Sequence, residues 1–67
     1  MPEVSLEVII ERWNNADGSI DYLWSVWHAG RRVHMGGKFP SADAAKSEAV
    51  TFCRASFGVA PERVREL

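Results

Sequence analysis

Apolar side chains stand at every second position through the first stretch of the chain, at Val4, Leu6, Val8 and Ile10. A repeat of two is that of a β-strand, so 4–12 reads as a half-buried strand with Ser5, Glu7, Ile9 and Glu11 on its other side. The same repeat returns in 20–28, where Ile20, Tyr22, Trp24 and Val26 face a core and Asp21, Leu23, Ser25 and Trp27 face away. Between the two lies Asn14-Asn15-Ala16-Asp17-Gly18-Ser19, a cluster of residues that close Asx-turns or accept left-handed backbone, and it reads as a hairpin loop.

Ala29-Gly30 is short enough for a two-residue turn into a third strand, 31–39. An uninterrupted ladder would set His28 opposite Arg31, Val26 opposite Val33 and Trp24 opposite Met35. The inward set is then Val33, Met35, Gly37 and Phe39, and Arg32, His34, Gly36 and Lys38 point outward. The tandem Gly36-Gly37 suggests a bulge or a close approach of the backbone to the helix. Pro40-Ser41-Ala42-Asp43 has the chemistry of a helix start, with Ser41 as the cap and Asp43 in the positive first turn. Ala45, Ala49, Phe52 and Ser56 follow at helical spacing, flanked by Ala42, Val50, Cys53 and Phe57, and Gly58 stands where a left-handed C-cap belongs. Pro61 suits the first position of a terminal helical turn with Val64 and Leu67 as its inward pair. The expected fold is therefore α+β: a single β-β-β-α domain over 1–67, with a three-stranded antiparallel meander packed on one helix and a short C-terminal helical turn.

Length supports one domain and no more. The chain has 67 residues, 46% hydrophobic and 25% charged, which is ordinary for a folded domain and unlike a disordered one. Net charge is -1, without the global basic excess of a dedicated nucleic-acid binder. No apolar run approaches the ~20 residues that span a bilayer. The single cysteine, Cys53, permits no internal disulfide, and with no signal-like stretch the expected location is the cytoplasm.

No cofactor, metal or catalytic residue is expected. His28 and His34 are expected on opposite sheet faces, and Cys53, on the apolar flank of the helix, reads as a buried, inert thiol. Asn15-Ala16-Asp17-Gly18 fails as a calcium loop because Trp13 and Trp24 hold the first and last ligand positions. Gly36-Gly37-Lys38 fails as a phosphate loop, with Arg32 at the upstream glycine and Phe39 after the lysine. Glu7 and Glu11 share a strand face about 13 Å apart, too far to act on one bond.

Two surfaces invite binding. The outer sheet face presents Ile9 beside Leu23 and Trp27, with Trp13 at its end, flanked by Glu7 and Glu11 on one side and by Arg32 and His34 on the other. An apolar centre between opposite charges has the composition of a protein interface, and Ile9, Leu23, Trp27, Arg32 and His34 are its candidate contacts for a protein partner or a second copy. Alternatively, Trp27 is simply covered by Arg32, or the segment from Pro61 folds over this face. The second surface is the hairpin 28–38, where Arg31, Arg32 and Lys38 stand with no acid; with Trp27 they form the candidate nucleic-acid contacts. Its counter-reading is a solvated hairpin balanced by Glu7 and Glu11.

Trp24-x-Val26, followed by Gly37-Lys38-Phe39-Pro40-Ser41-Ala42-Asp43-Ala44-Ala45, resembles the strand-to-helix signature of small three-stranded-sheet-plus-helix domains. The resemblance covers about half the chain, from Trp24 to Gly58. It is to short uncharacterised bacterial proteins and, more weakly, to ethylene-response and integrase-arm DNA-binding domains. The second group implies a sheet face that enters the major groove through cations and aromatics. Trp27, Arg31, Arg32 and Lys38 match that role, whereas Glu7, Ile9, Glu11, Leu23 and Ser25 depart from it. Taken together, these residues lead us to expect a non-enzymatic binding module that recognises a protein partner or self-associates through the outer sheet face, with nucleic acid as the alternative and no membrane or small-molecule partner.

Overall fold

The computed structural model describes residues 5–67, so Val4 of the first expected strand lies outside the described residues. Three nine-residue strands, β1 (Leu6–Asn14), β2 (Ile20–His28) and β3 (Arg31–Phe39), lead into the helix α1 (Ala42–Phe57), and a short strand β4 (Arg63–Glu66) follows. The sheet order is β3-β2-β1-β4. The first three strands form the expected antiparallel meander, but β4 lies parallel to β1, which makes the sheet four-stranded and mixed.

β4 replaces the expected terminal helical turn. So few residues cannot offset the cost of helix nucleation, whereas the open side of β1 offers a row of backbone groups that need partners. The Leu6 carbonyl accepts from the Glu62 N–H at 2.8 Å and the Ile10 carbonyl from the Leu67 N–H at 2.9 Å. Val64, β-branched and opposite Val8, packs against the core, while Leu67, expected to turn inward with it, is 68% exposed. The segment from Pro61 thus extends the sheet sideways and does not lie over its outer face.

The core forms between the inner sheet face and α1. Leu6, Val8 and Ile10 of β1 and Trp24 and Val26 of β2 are buried against Ala45, Ala49 and Cys53. Small residues on the helix let it lie close to a sheet that carries a tryptophan. Ser41 caps α1, its hydroxyl accepting from the Ala44 N–H at 3.1 Å, and Gly58 closes it at φ 74° with its N–H on the Arg54 carbonyl.

The β1–β2 register is unbroken from Leu6↔His28 to Asn14↔Ile20. The β2–β3 register begins as expected, with His28↔Arg31 and Trp27↔Arg32, around a two-residue turn in which Ala29 and Gly30 both take positive φ, 53° and 77°. It then shifts twice. Val26 pairs with His34 rather than Val33, and Leu23 pairs with Lys38 after a second irregularity at Gly36-Gly37. Each extra residue on β3 reverses its faces, so the two cancel by Lys38 and only the middle of the strand departs from expectation. His34, expected outside, is opposite Val26 on the inner side and stacks on Phe52 of α1, with ring centroids 4.0 Å apart at 16°. Val33 and Met35, expected inside, are 43% and 44% exposed. The second irregularity sits where tandem glycine suggested it, and the close neighbour is Trp24 rather than the helix.

Candidate functional site

Because α1 covers one side of the sheet, the other side remains open, and its side chains fall into four rows across the strands. The first is Arg63–Glu7–Trp27–Arg32, the second Arg65–Ile9–Ser25–Met35, the third Glu11–Leu23–Lys38 and the fourth Trp13–Asp21. Of the five candidate protein contacts, Ile9, Leu23, Trp27 and Arg32 therefore share this face. His34 does not, for the register reason given above. Of the candidate nucleic-acid contacts, Trp27, Arg32 and Lys38 lie on the outer face, whereas Arg31 is level with His28 on the opposite side at the hairpin tip.

The middle of the face is closely covered. Ser25 is 4% exposed although no helix lies on it. Its hydroxyl accepts from the Trp27 indole N–H at 2.8 Å and sits 3.5 Å from the Ile9 carbonyl, so the indole is tethered over its own strand. Ile9, Leu23 and Trp27 are each half-buried, and Met35 extends the apolar area toward β3, where an Arg32 guanidinium nitrogen lies 3.9 Å from its sulfur. At the far end Trp13 is 51% exposed, its indole N–H donating to the Glu11 carboxylate at 3.1 Å.

Met35, Arg63 and Arg65 are members of this face that the sequence reading missed. Met35 was hidden by the bulge, and the two arginines by the terminal segment being read as helix. Their alternation around Val64 is the signal that a strand reading would have used. Arg65 bridges Glu7 at 3.4 Å, an exposed pair that contributes under about 1 kcal/mol. Glu62 accepts from the Ser5 hydroxyl. Beside that contact, Glu7, Trp27, Glu62, Arg63 and the Ala29-Gly30 turn line an open groove of about 350 Å³.

On the inner side, Cys53 is fully buried, and burial pushes its thiol above the ordinary value. Trp24, His34, Phe52 and Phe57 form a chain of ring contacts there. Among the described residues, no three His, Cys, Asp or Glu side chains come together as a metal site, and no helix is long and apolar enough to cross a membrane. Comparison with protein-family models, with curated proteins and with solved structures gives no significant match.

Proposed function

We propose that the chain is a non-enzymatic binding module that docks a protein surface through the outer sheet face. The observation that carries this is the set of side chains left on the side away from α1: Ile9, Leu23, Trp27 and Met35 at the centre, with charges of both signs around them. Apolar and aromatic groups ringed by arginine and carboxylate are what a protein interface uses, and tryptophan and arginine are the commonest hot-spot residues. The buried Cys53 and the inner-side histidines lie away from this face, and its one enclosed hydroxyl, Ser25, is engaged by the Trp27 indole. The lone thiol is compatible with a reducing compartment such as the cytoplasm.

Nucleic-acid binding is the second reading. Arg63 and Arg65 favour it, because they join Arg32 and Lys38 around Trp27. Glu7, Glu11 and Asp21 on the same face oppose it, since a phosphate backbone would be repelled by carboxylates among the cations. The deciding experiment pairs a cross-linking pull-down with a titration against generic duplex DNA and RNA at low salt. Protein capture that is lost in Trp27→Glu, with the circular dichroism spectrum unchanged, supports the protein reading. Salt-sensitive nucleic-acid binding that is lost in Arg32→Ala/Arg65→Ala replaces it.

A further inference from the structure

We infer that the occupant of the outer face is a second copy of this chain, docked face to face about a twofold axis that runs across the strands. The inference rests on the outer face being the binding surface and adds which partner it takes and in what orientation. It comes from the order of charges along the strands. The first two rows hold Arg32, Arg63 and Arg65 against Glu7 alone, and the last two hold Glu11 and Asp21 against Lys38. The face is therefore basic at the β2–β3 turn and acidic at the β1–β2 loop, with Ile9, Ser25, Met35 and Leu23 between.

An isologous interface requires a patch that complements itself. A twofold axis along the strands would set three arginines over three arginines. An axis across the strands reverses the copy end for end, laying the Arg63–Glu7–Trp27–Arg32 row of each over the Trp13–Asp21 row of the other and the Arg65–Ile9–Ser25–Met35 row over the Glu11–Leu23–Lys38 row, so that the basic end of each copy meets the acidic end of the other. The order of charge thus selects one of the two face-to-face arrangements. Strands of about 30 Å at a spacing of about 4.8 Å give a footprint of roughly 500 Å² per copy. Two such faces come to about 1,000 Å², the lower limit for a specific interface, so the expected dimer is weak and sensitive to salt.

The test is sedimentation over a wide concentration range, up to several hundred micromolar, on the full chain and on two charge-reversed variants, Glu11→Lys/Asp21→Lys and Arg32→Glu/Arg65→Glu. All these substitutions are at exposed or half-buried positions, and circular dichroism verifies the fold of each. The expected result is a dimer for the native chain, at least 100-fold weaker pairing for each variant alone, and restored pairing when the two variants are mixed. One variant is then basic along the whole face and the other acidic, so restored pairing in the mixture ties association to charge on this face. The native chain's own pairing selects the end-for-end arrangement, since the other sets like ends together. A native chain that stays monomeric throughout overturns self-pairing, and if Trp27→Glu still loses a captured protein the outer-face reading survives. A dimer indifferent to the charge reversals and to Trp27→Glu overturns both.

Discussion

The imidazole of His34 stacks on the ring of Phe52, joining the middle of β3 to α1 with ring centroids 4.0 Å apart. The same imidazole lies 5.4 Å from the centroid of Trp24, so three aromatic residues from β2, β3 and α1 share one contact. An aromatic pair of this kind contributes about 0.5–1.5 kcal/mol beyond area burial. His34→Ala should therefore lower unfolding stability by about 1 kcal/mol and leave outer-face association unchanged. Chemical denaturation and sedimentation of the same variant read the two effects. A histidine on the outer face would give the reverse pattern.

Gly36 makes room for Trp24. A Cβ at this position would lie 1.9 Å from the indole Cε2, whereas one at Gly37 would meet nothing within 4 Å. The indole is part of the core and its N–H is enclosed without an acceptor, so it has no free direction in which to retreat. Gly36→Ala is expected to cost about 1–3 kcal/mol or more through overpacking. Gly37→Ala, adjacent but unobstructed, should change stability by less than about 1 kcal/mol. Tryptophan fluorescence during urea unfolding follows both variants, and equal effects would contradict the packing.

How far the fold was legible depended on whether a local pattern or a distant edge decided each element. Ser41, Gly58 and the Ala29-Gly30 turn act on their immediate neighbours, and all three sit where the sequence put them. Both ends of β3 also follow from alternation, since Arg32 and Lys38 face outward and Phe39 packs inward. The middle does not, because Val33 is the residue a regular strand would bury. Placing it in the bulge lets His34 reach Phe52 and leaves Trp24 the space over Gly36. β4 was illegible for a different reason. A Val64 flanked by arginines carries little information until the vacant side of β1 is known to lie beside it. Ile9, Leu23, Trp27 and Arg32 accordingly lie on the outer face as expected, His34 does not, and Met35, Arg63 and Arg65 join it unforeseen.

Asp17 orders the β1–β2 loop. Its carboxylate accepts from the Ser19 hydroxyl at 2.6 Å and from the Ser19 N–H at 2.9 Å, and these bonds to the charged form hold its pKa below the ordinary carboxylate value. With the folded value depressed, the contribution is present above the ordinary value and is lost as pH falls through the folded one. An NMR titration should give Asp17 a midpoint below that of a free aspartate, with the Ser19 amide shifting alongside it. In Ser19→Ala, which removes the larger of the two contributions, the midpoint should move up.

Pairing with β4 protects the edge of β1. Glu62 and Leu67 hold the Leu6 and Ile10 carbonyls, and Val64 packs against the core between them. Val64→Pro removes a backbone donor and the strand's one core contact. Hydrogen exchange at Glu62 and Leu67 should accelerate by an order of magnitude or more, while amides of β2 that bond to β1 retain their protection. Uniform acceleration across the sheet would mean that β4 is part of the global folding unit and not a separable edge.

Ser25 tethers the central aromatic of the outer face. Its hydroxyl accepts from the Trp27 indole at 2.8 Å while lying almost wholly enclosed. Ser25→Ala removes the acceptor without adding bulk, and the half-exposed indole can then turn its N–H to water, so the stability cost should be modest, about 1 kcal/mol. The effect on binding should be larger in proportion, because a freed indole must be ordered again whenever a partner docks. Relaxation measurements on the Trp27 side chain should show increased motion in Ser25→Ala, and association should weaken several-fold. Ser25→Thr retains an acceptor and should preserve both. If Ser25→Ala frees the indole and association is unaffected, Trp27 is not a contact at the centre of the interface.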